Sequence, residues 1–327
     1  MTTLPTEPTA ASAGFAHVSV MGDEVIEALR PVPAGWVVDG TLGGGGHSER
    51  ILRELPHLSV LGLDRDPAAL QAASARLAPF GDRFAAEHSR FSELAQVCER
   101  RGFPFLSGVL ADVGVSSHQI DTAERGFSFR QDGPLDMRMD PTRGETLEDM
   151  LSEVTVEDLA NVLYEFGDIR RSIGTARMVL EAFQQGAHTT SALANRLAAR
   201  LPRNRSIHPA TMVFQALRIW VNAELDELQS LLDAAPPLLQ PGGRMAVIAF
   251  HSGEDRLVKQ SFRERAPGRY GEYVRITRKP WIPKGREQEE NPRSRSARLR
   301  VLERAVPGSM GRYGGFDGDD NDEGDEG

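Results

Sequence analysis

Short apolar runs, most of them closed by an acidic residue and followed by a helical period, mark the first third of the chain. Trp36-Val-Val runs into Asp39, and Ser59-Val-Leu-Gly-Leu63 runs into Asp64. Arg83 to Glu87 leads to His88-Ser-Arg-Phe91, and Gly108-Val-Leu-Ala111 runs into Asp112. Short unbroken apolar runs suit strands covered on both faces, as in parallel sheets. Between them, Gly22 to Leu29, Ser48 to Glu54, Ala68 to Leu77 and Ser92 to Arg101 read as helices. Strand, turn and helix in alternation open a doubly wound α/β fold, where ligands bind beyond the carboxyl ends of the strands.

The alternation stops near His118, and no strand pattern appears up to Asn222. A polar loop from Arg125 to Asp140 leads into helices. Thr155-x-x-Asp158 reads as a cap before Leu159 to Phe166, and helices near Ile169 to Phe183 and Ser191 to Leu201 follow. His208-Pro209 then opens a helix with proline in its first turn. Phe214, Leu217, Trp220 and Leu225 keep helical spacing towards Leu232 and belong to a core rather than a site. About a hundred helical residues inside an α/β frame form a second domain by size.

The sheet pattern resumes at Leu239 with the turn Pro241-Gly-Gly243 and an apolar strand to Phe250. A helix from Arg256 to Glu264 follows. Tyr273 to Thr277 and Ser296 to Glu303 could close the sheet as a hairpin pair around a long, mobile, proline- and charge-rich loop. The expected organisation is a disordered N-terminus (1–16), a catalytic domain in two pieces (17–118 and 223–304), an inserted helical domain (119–222) and a disordered acidic tail (305–327).

Charge changes this picture in one respect. The net charge is −9, but seven acids and no bases lie between Phe316 and Gly327, which leaves the remainder nearly neutral. From Arg256 to Arg304, fifteen Lys/Arg face six Asp/Glu. That basic segment is either a solvated face or a nucleic-acid footprint. No apolar run is long enough to span a membrane, and no signal peptide is present. The single cysteine, Cys98, gives neither a disulfide framework nor a cysteine-rich zinc site, and no metal site is expected. A buried place on its helix suits it better than catalysis. A cytoplasmic protein is the plain inference.

The candidate chemistry lies in Asp39-Gly-Thr-Leu-Gly43-Gly44-Gly45-Gly46-His47-Ser48. Its glycines allow a tight turn and a close ligand approach. They fit neither G-x-G-x-x-G nor G-x-x-x-x-G-K-[ST]. An acid at the strand end suits a cationic ligand better than a pyrophosphate. S-adenosylmethionine, another nucleotide, or a merely structural turn remain open on these residues alone. Asp64, twenty-five residues after Asp39, stands where such folds hold ribose hydroxyls, or it caps the helix starting near Pro67. Phe91 could lie against an adenine or in a core.

Taken together, several blocks resemble one family. They are Asp39 to Ser48, Leu63-Asp-Arg-Asp66, Asp112-Val-Gly-Val-Ser-Ser117, Glu124-Arg-Gly-Phe-Ser-Phe129, Asp132-Gly-Pro-Leu-Asp-Met-Arg-Met-Asp140, His208-Pro-Ala-Thr211, Phe214-Gln-Ala-Leu-Arg-Ile219 and Phe250-His-Ser252. From about His17 to Arg304 the chain is similar to the RsmH (MraW) family, and the Asp132 to Asp140 block is the most specific. Small departures are Val113 for a leucine, His118 for a proline and Gly253 for a leucine.

The resemblance implies a Rossmann-like class I methyltransferase sheet interrupted by a helical substrate domain. It implies S-adenosylmethionine-dependent N4-methylation of a cytidine, cytidine 1402, in the decoding region of bacterial 16S ribosomal RNA within the small subunit. Cofactor contacts then fall on Gly45, Gly46, His47, Asp64, Phe91, Asp112 and Gln119, with Asp39 added from its strand-end position.

An exocyclic amine is a poor nucleophile until its lone pair leaves the ring system, so an acceptor for one of its hydrogens is needed. Asp112 occupies the loop after the fourth strand, and His251 is a second candidate, though a hydrogen-bonded strand-end histidine reads as well. The loop lacks an Asp/Asn/Ser-Pro-Pro-aromatic motif, so base stacking is left to Phe127, Phe129 or Phe250. Arg196, Arg200, Arg203 and Arg205, with Arg293 and Arg295, are the candidate RNA-phosphate ligands. The competing functions are methylation of DNA cytosine or of protein, and a non-catalytic RNA-binding assembly factor.

Overall fold

The structure, a computed structural model, describes residues 19–202, 208–268 and 271–308. The N-terminal 1–16 region and most of the acidic tail lie outside the described residues. The chain begins with α1 (Gly22–Leu29), β1 (Gly35–Asp39), α2 (Gly46–Glu54), β2 (Leu58–Asp64), α3 (Pro67–Leu77), β3 (Phe84–His88), α4 (Leu94–Arg101) and β4 (Leu106–Asp112). Helices follow: α5 (Ser117–Asp121), α6 (Leu147–Glu153), α7 (Val156–Gly167), α8 (Ser172–Gln184), α9 (Thr190–Ala198), α10 (Thr211–Asn222) and α11 (Glu224–Leu238). The chain returns through β5 (Leu239–Ala249), α12 (Ser252–Arg265), β6 (Tyr273–Arg275), α13 (Gly285–Glu290) and β7 (Arg298–Arg304).

These strands form one sheet in the order β3-β2-β1-β4-β5-β7-β6. The first five are parallel, and β7 runs antiparallel between β5 and β6. The alternation along each strand explains the apolar runs in the sequence, because successive side chains go to opposite faces. Val37, Val60, Leu110, Ile248 and Val301 enter one core, under α1, α2 and α3. Val38, Leu61, Val109, Val247 and Leu302 enter the other, under α4, α11 and α12. Cys98 is buried there on α4, and burial pushes its thiol up to about 11. The closing hairpin expected from Tyr273 and Ser296 forms, with Val274 opposite Glu303. The stretch between its strands is ordered in part, carrying α13 and a tight helical turn at Pro292–Ser296, where the sequence suggested only a mobile loop. No helix among the described residues is long and apolar enough to cross a membrane.

A third core, drawn from Leu135 to Leu217, is separate from both sheet cores and packs α6 to α10 around Leu147, Leu163, Val179, Leu193 and Phe214. Thr155 caps α7 by accepting from the amide of Asp158, as the sequence indicated. The single helix read from His208 to Leu232 is two. Ala223 adopts a left-handed φ of 47°, and α10 ends there. Alanine is a strong helix former, so spacing alone could not show the break. Tertiary packing imposes it: α10 buries Val213 and Leu217 in the helical core, while α11 buries Leu228 and Leu232 against the sheet. Asn222 fastens the break, accepting from the Met139 amide and donating to the Met137 carbonyl, each at 2.7 Å.

The unusual Asp132 to Asp140 block does architectural work. Leu135 and Met137 are buried in the helical core. Asp132 accepts from the Ser191 amide at the start of α9 (3.0 Å), and Asp140 accepts from Thr142. Gly133 is required, because a Cβ there would fall 1.9 Å from the Ala123 carbonyl oxygen. The block is held to the sheet through Asp66. Its Oδ2 accepts from Arg125 at 2.7 Å and from Gln119 at 3.0 Å, while its Oδ1 caps α3 at the Ala68 amide. Arg125 also donates to the carbonyls of Arg138 and Met139. The far end is tied to the same loop, because Arg65 donates to the Asn222 carbonyl at 2.9 Å.

Candidate cofactor cleft

Five strand ends converge on one cleft. After β1 the chain turns through Gly40 to Gly45, and neighbouring strands hold the turn. The Gly40 amide donates to Leu110 of β4 (2.8 Å) and the Leu42 amide to Leu63 of β2 (3.0 Å). Thr41 accepts the Asp112 amide at 2.6 Å. Asp64, at the end of β2, accepts from the Gly43 amide (2.8 Å) and from the Asp66 amide (2.9 Å). Ser89 to Phe91 after β3, Asp112 to Gln119 after β4 and Phe250 after β5 complete the wall. This is the ligand crevice that an open α/β sheet provides.

The cleft is acidic and carries one buried imidazole. Protein packed around Asp64 raises its carboxyl to about 6, and the two backbone donors only partly offset that desolvation. His47, 6% exposed, lies with Nε2 at 3.4 Å from Asp112 Oδ2. Burial opposes its charge, yet the neighbouring Asp112 carboxylate, with the charge of Asp39, carries its pKa above the ordinary value. Neither ring nitrogen of His47 nor Asp112 Oδ1 has a hydrogen-bond partner among the described residues. Buried polar atoms left open in this way at a cleft await a ligand or water.

Of the residues singled out from sequence, Gly46, His47, Asp64, Phe91, Asp112 and Gln119 line the cleft together. Asp39 does not. It is buried behind the glycine turn, where it accepts from Ser48 Oγ (2.6 Å) and the Thr41 amide (3.2 Å), and burial raises its pKa. Gly45 is also outside the wall. Its φ of +78° caps α2, and a Cβ would meet Leu77 and Ala73 at 3.1 and 3.3 Å. His251 caps α12: its Nδ1 accepts from the Glu254 amide and its Nε2 lies 3.0 Å from Glu254 Oε1. Phe250 alone of the three candidate stacking rings lines the cleft. Phe129 packs on His208 and Phe214, and Phe127 lies under Arg125.

Most of the candidate phosphate ligands are already engaged. Arg196 donates to Gln185, Arg200 pairs with Glu181 at 2.8 Å, and Arg295 donates to the Gln288 carbonyl. Arg293 pairs with Asp121 at 3.0 Å on the cleft rim. Arg203 and Arg205 lie outside the described residues. Sequence reasoning passed over Arg65, Glu224 and Glu227, which line the cleft from the β2 loop and from α11. Arg65 was legible in principle, since it lies inside the Leu63 to Asp66 block. The two glutamates come from the far side of the helical region and had no local signature.

The model of the MraW methylase family matches residues 14–305. The chain belongs to that family. Relatives named ribosomal RNA small subunit methyltransferase H share much of the sequence. The one from Synechococcus elongatus is 49% identical over 91% of this chain and 97% of its own length. Those from Sorangium cellulosum and Anaeromyxobacter dehalogenans are 47% and 46% identical, covering 89% and 90% of this chain and 91% and 99% of theirs. The match spans the whole sheet, the glycine turn and the Asp132 to Asp140 block.

Proposed function

We propose that this protein transfers the methyl group of S-adenosylmethionine to N4 of a cytidine, cytidine 1402, in the decoding region of 16S ribosomal RNA, in the cytoplasm. The observation that carries the cofactor half is Asp64. A carboxylate at the end of β2, bound to the glycine turn through Gly43, suits two ribose hydroxyls and repels a pyrophosphate. Phe91 offers a ring face for adenine, and Gln119 borders the same wall. His47 and Asp112 meet the charged amino-acid end of the cofactor. The names of the relatives carry the ribosomal-RNA half.

The bound cofactor supplies an electrophilic methyl group on a sulfonium; the protein supplies position and electrostatics. Asp112 Oδ1, buried and unpartnered, is the acceptor we assign to a hydrogen of the cytosine amine, since it lies on the cleft wall while His251 stands outside that wall with its Nδ1 capping α12. Phe250 is the ring that faces the base. Residues 17–118 with 223–304 form the catalytic unit, and 119–222 form the wall on the RNA side. A target base must leave its stack to enter such a cleft.

A mass map of small-subunit RNA from cells lacking this protein tests the reading. It should lose one N4-methylcytidine in the decoding region, and purified protein with labelled cofactor should restore it. Label appearing in plasmid DNA or protein in place of that RNA would overturn the proposal.

A further inference from the structure

The structure assigns the corner between α7 and α8 as the surface that receives single-stranded RNA flanking the target base, an assignment that rests on the ribosomal-RNA reading above. An aromatic ring held in water is a ready stacking face for an unpaired base. Tyr164, near the end of α7, is 63% exposed, and Ile173, in the first turn of α8, is 57% exposed. Together they bracket the turn. Arg170, Arg171 and Arg177 are exposed beside them, and none makes a side-chain hydrogen bond or ion pair among the described residues. That separates them from Arg196, Arg200, Arg293 and Arg295, whose guanidinium groups are engaged within the fold.

The corner stands beside the cleft. Asp168 in the turn lies 3.4 Å from Ser252 Oγ, and Ser252 follows Phe250 by two residues, the ring that lines the cleft after β5. This contact directs one acid of the corner towards α12; Glu165 is the other acid and lies exposed on α7. The corner has a firm base, because Leu163 and Val179 from its two helices are buried in the helical core. Isolated apolar faces set among unpaired guanidinium groups suit a single strand, whose bases stack while its phosphates meet cations. A protein partner would call for a continuous apolar core at the contact. Here, Arg170 and Arg171 lie between Tyr164 and Ile173 in the chain, and all four are exposed.

The test uses the full chain, small subunits from cells lacking it, and a short labelled oligoribonucleotide of decoding-region sequence. Tyr164→Ala should raise KM for the small subunits about ten-fold and weaken oligonucleotide binding alike, while Tyr164→Phe keeps both near wild type. Replacing Arg170, Arg171 and Arg177 together by alanine should flatten the slope of log affinity against log salt by about 2 on the oligonucleotide. Calorimetric affinity for S-adenosylmethionine, unchanged in each variant, shows the fold and cleft to be intact. Unaltered KM and salt slope would overturn the assignment. So would variants that bind small subunits poorly but bind the oligonucleotide normally, because the partner would then be a ribosomal protein. Wild-type protein that leaves small-subunit RNA unmethylated would instead overturn the functional reading, and the two failures are distinct.

Discussion

Nε2 of His47 lies 3.4 Å from Oδ2 of Asp112, inside the cleft and almost out of reach of water. Asp112, with Asp39 behind it, lifts the imidazole pKa above 6.5 against the opposing effects of burial and of Arg50. A histidine raised in this way stabilises the fold fully below about 6.5, and the contribution disappears as pH rises through the folded value. A ring-proton NMR titration should place the His47 midpoint above 6.5, and in Asp112→Asn the midpoint should fall. An unmoved midpoint in that variant would show the pair to be incidental.

Asp64 titrates in the opposite sense. Its folded value of about 6 lies above the 3.8 of an unperturbed carboxyl, so the folded chain holds this proton more tightly than the unfolded one. Stability from this group therefore grows as pH falls through 6, while a role as ribose acceptor needs the ionised form. Affinity for S-adenosylmethionine should weaken below pH 6, and Asp64→Asn should remove that pH dependence. Asp64→Ala should weaken binding by roughly 1.5–3 kcal/mol, the worth of a charged hydrogen bond. Calorimetric titration across pH measures both effects.

Gly45→Val should fail through the fold rather than by blocking the ligand. A branched residue at φ +78° costs about 1–2 kcal/mol in backbone strain, and its side chain would press on Leu77 and Ala73. Urea unfolding should show the loss without any cofactor present. A variant of normal stability that cannot bind cofactor would place Gly45 against the ligand after all.

The Arg125–Asp66 pair is buried on both sides, 14% and 3% exposed, at 2.7 Å. Removing one member strands the other and should cost about 3–5 kcal/mol. Arg125→Ala and Asp66→Ala should each lower the urea midpoint, and the double variant should lose much less than the sum. Simple additivity would mean that the two residues act separately.

Much of this molecule was open to reading from the sequence, for physical reasons that also set the limit. Val37, Val38, Leu61 and Val247 are apolar because both faces of their strands are covered, and an unbroken run announces that. Asp64 and Asp112 were legible because strand ends converge on the ligand crevice. Asp39 shares the same position yet is turned inward to Ser48, and nothing in its neighbours betrays the direction. His251 reads from sequence either as a proton acceptor or as a hydrogen-bonded strand-end residue, and the choice depends on the Glu254 amide that its Nδ1 caps, three residues on. Ala223 breaks a helix that its own propensity favours, under forces from two cores far apart in the chain. The Asp66 contacts with Gln119 and Arg125, 53 and 59 residues away, had no local trace.

Arg65 and Asp66 hold both ends of the 119–222 region, Asp66 through Gln119 and Arg125 and Arg65 through the Asn222 carbonyl. The helical region therefore leaves the sheet and rejoins it by a single doorway, and no strand pairing depends on what lies beyond. Beyond the doorway, Asp140 beside His88 and Asp168 beside Ser252 add side-chain contacts, so the module rests on the sheet domain without entering the register of β4 against β5. The doorway also stands at the end of β2, beside the residue assigned to the cofactor ribose. Arg65 and Asp66 thus couple the seating of the helical module to the loop that carries Asp64.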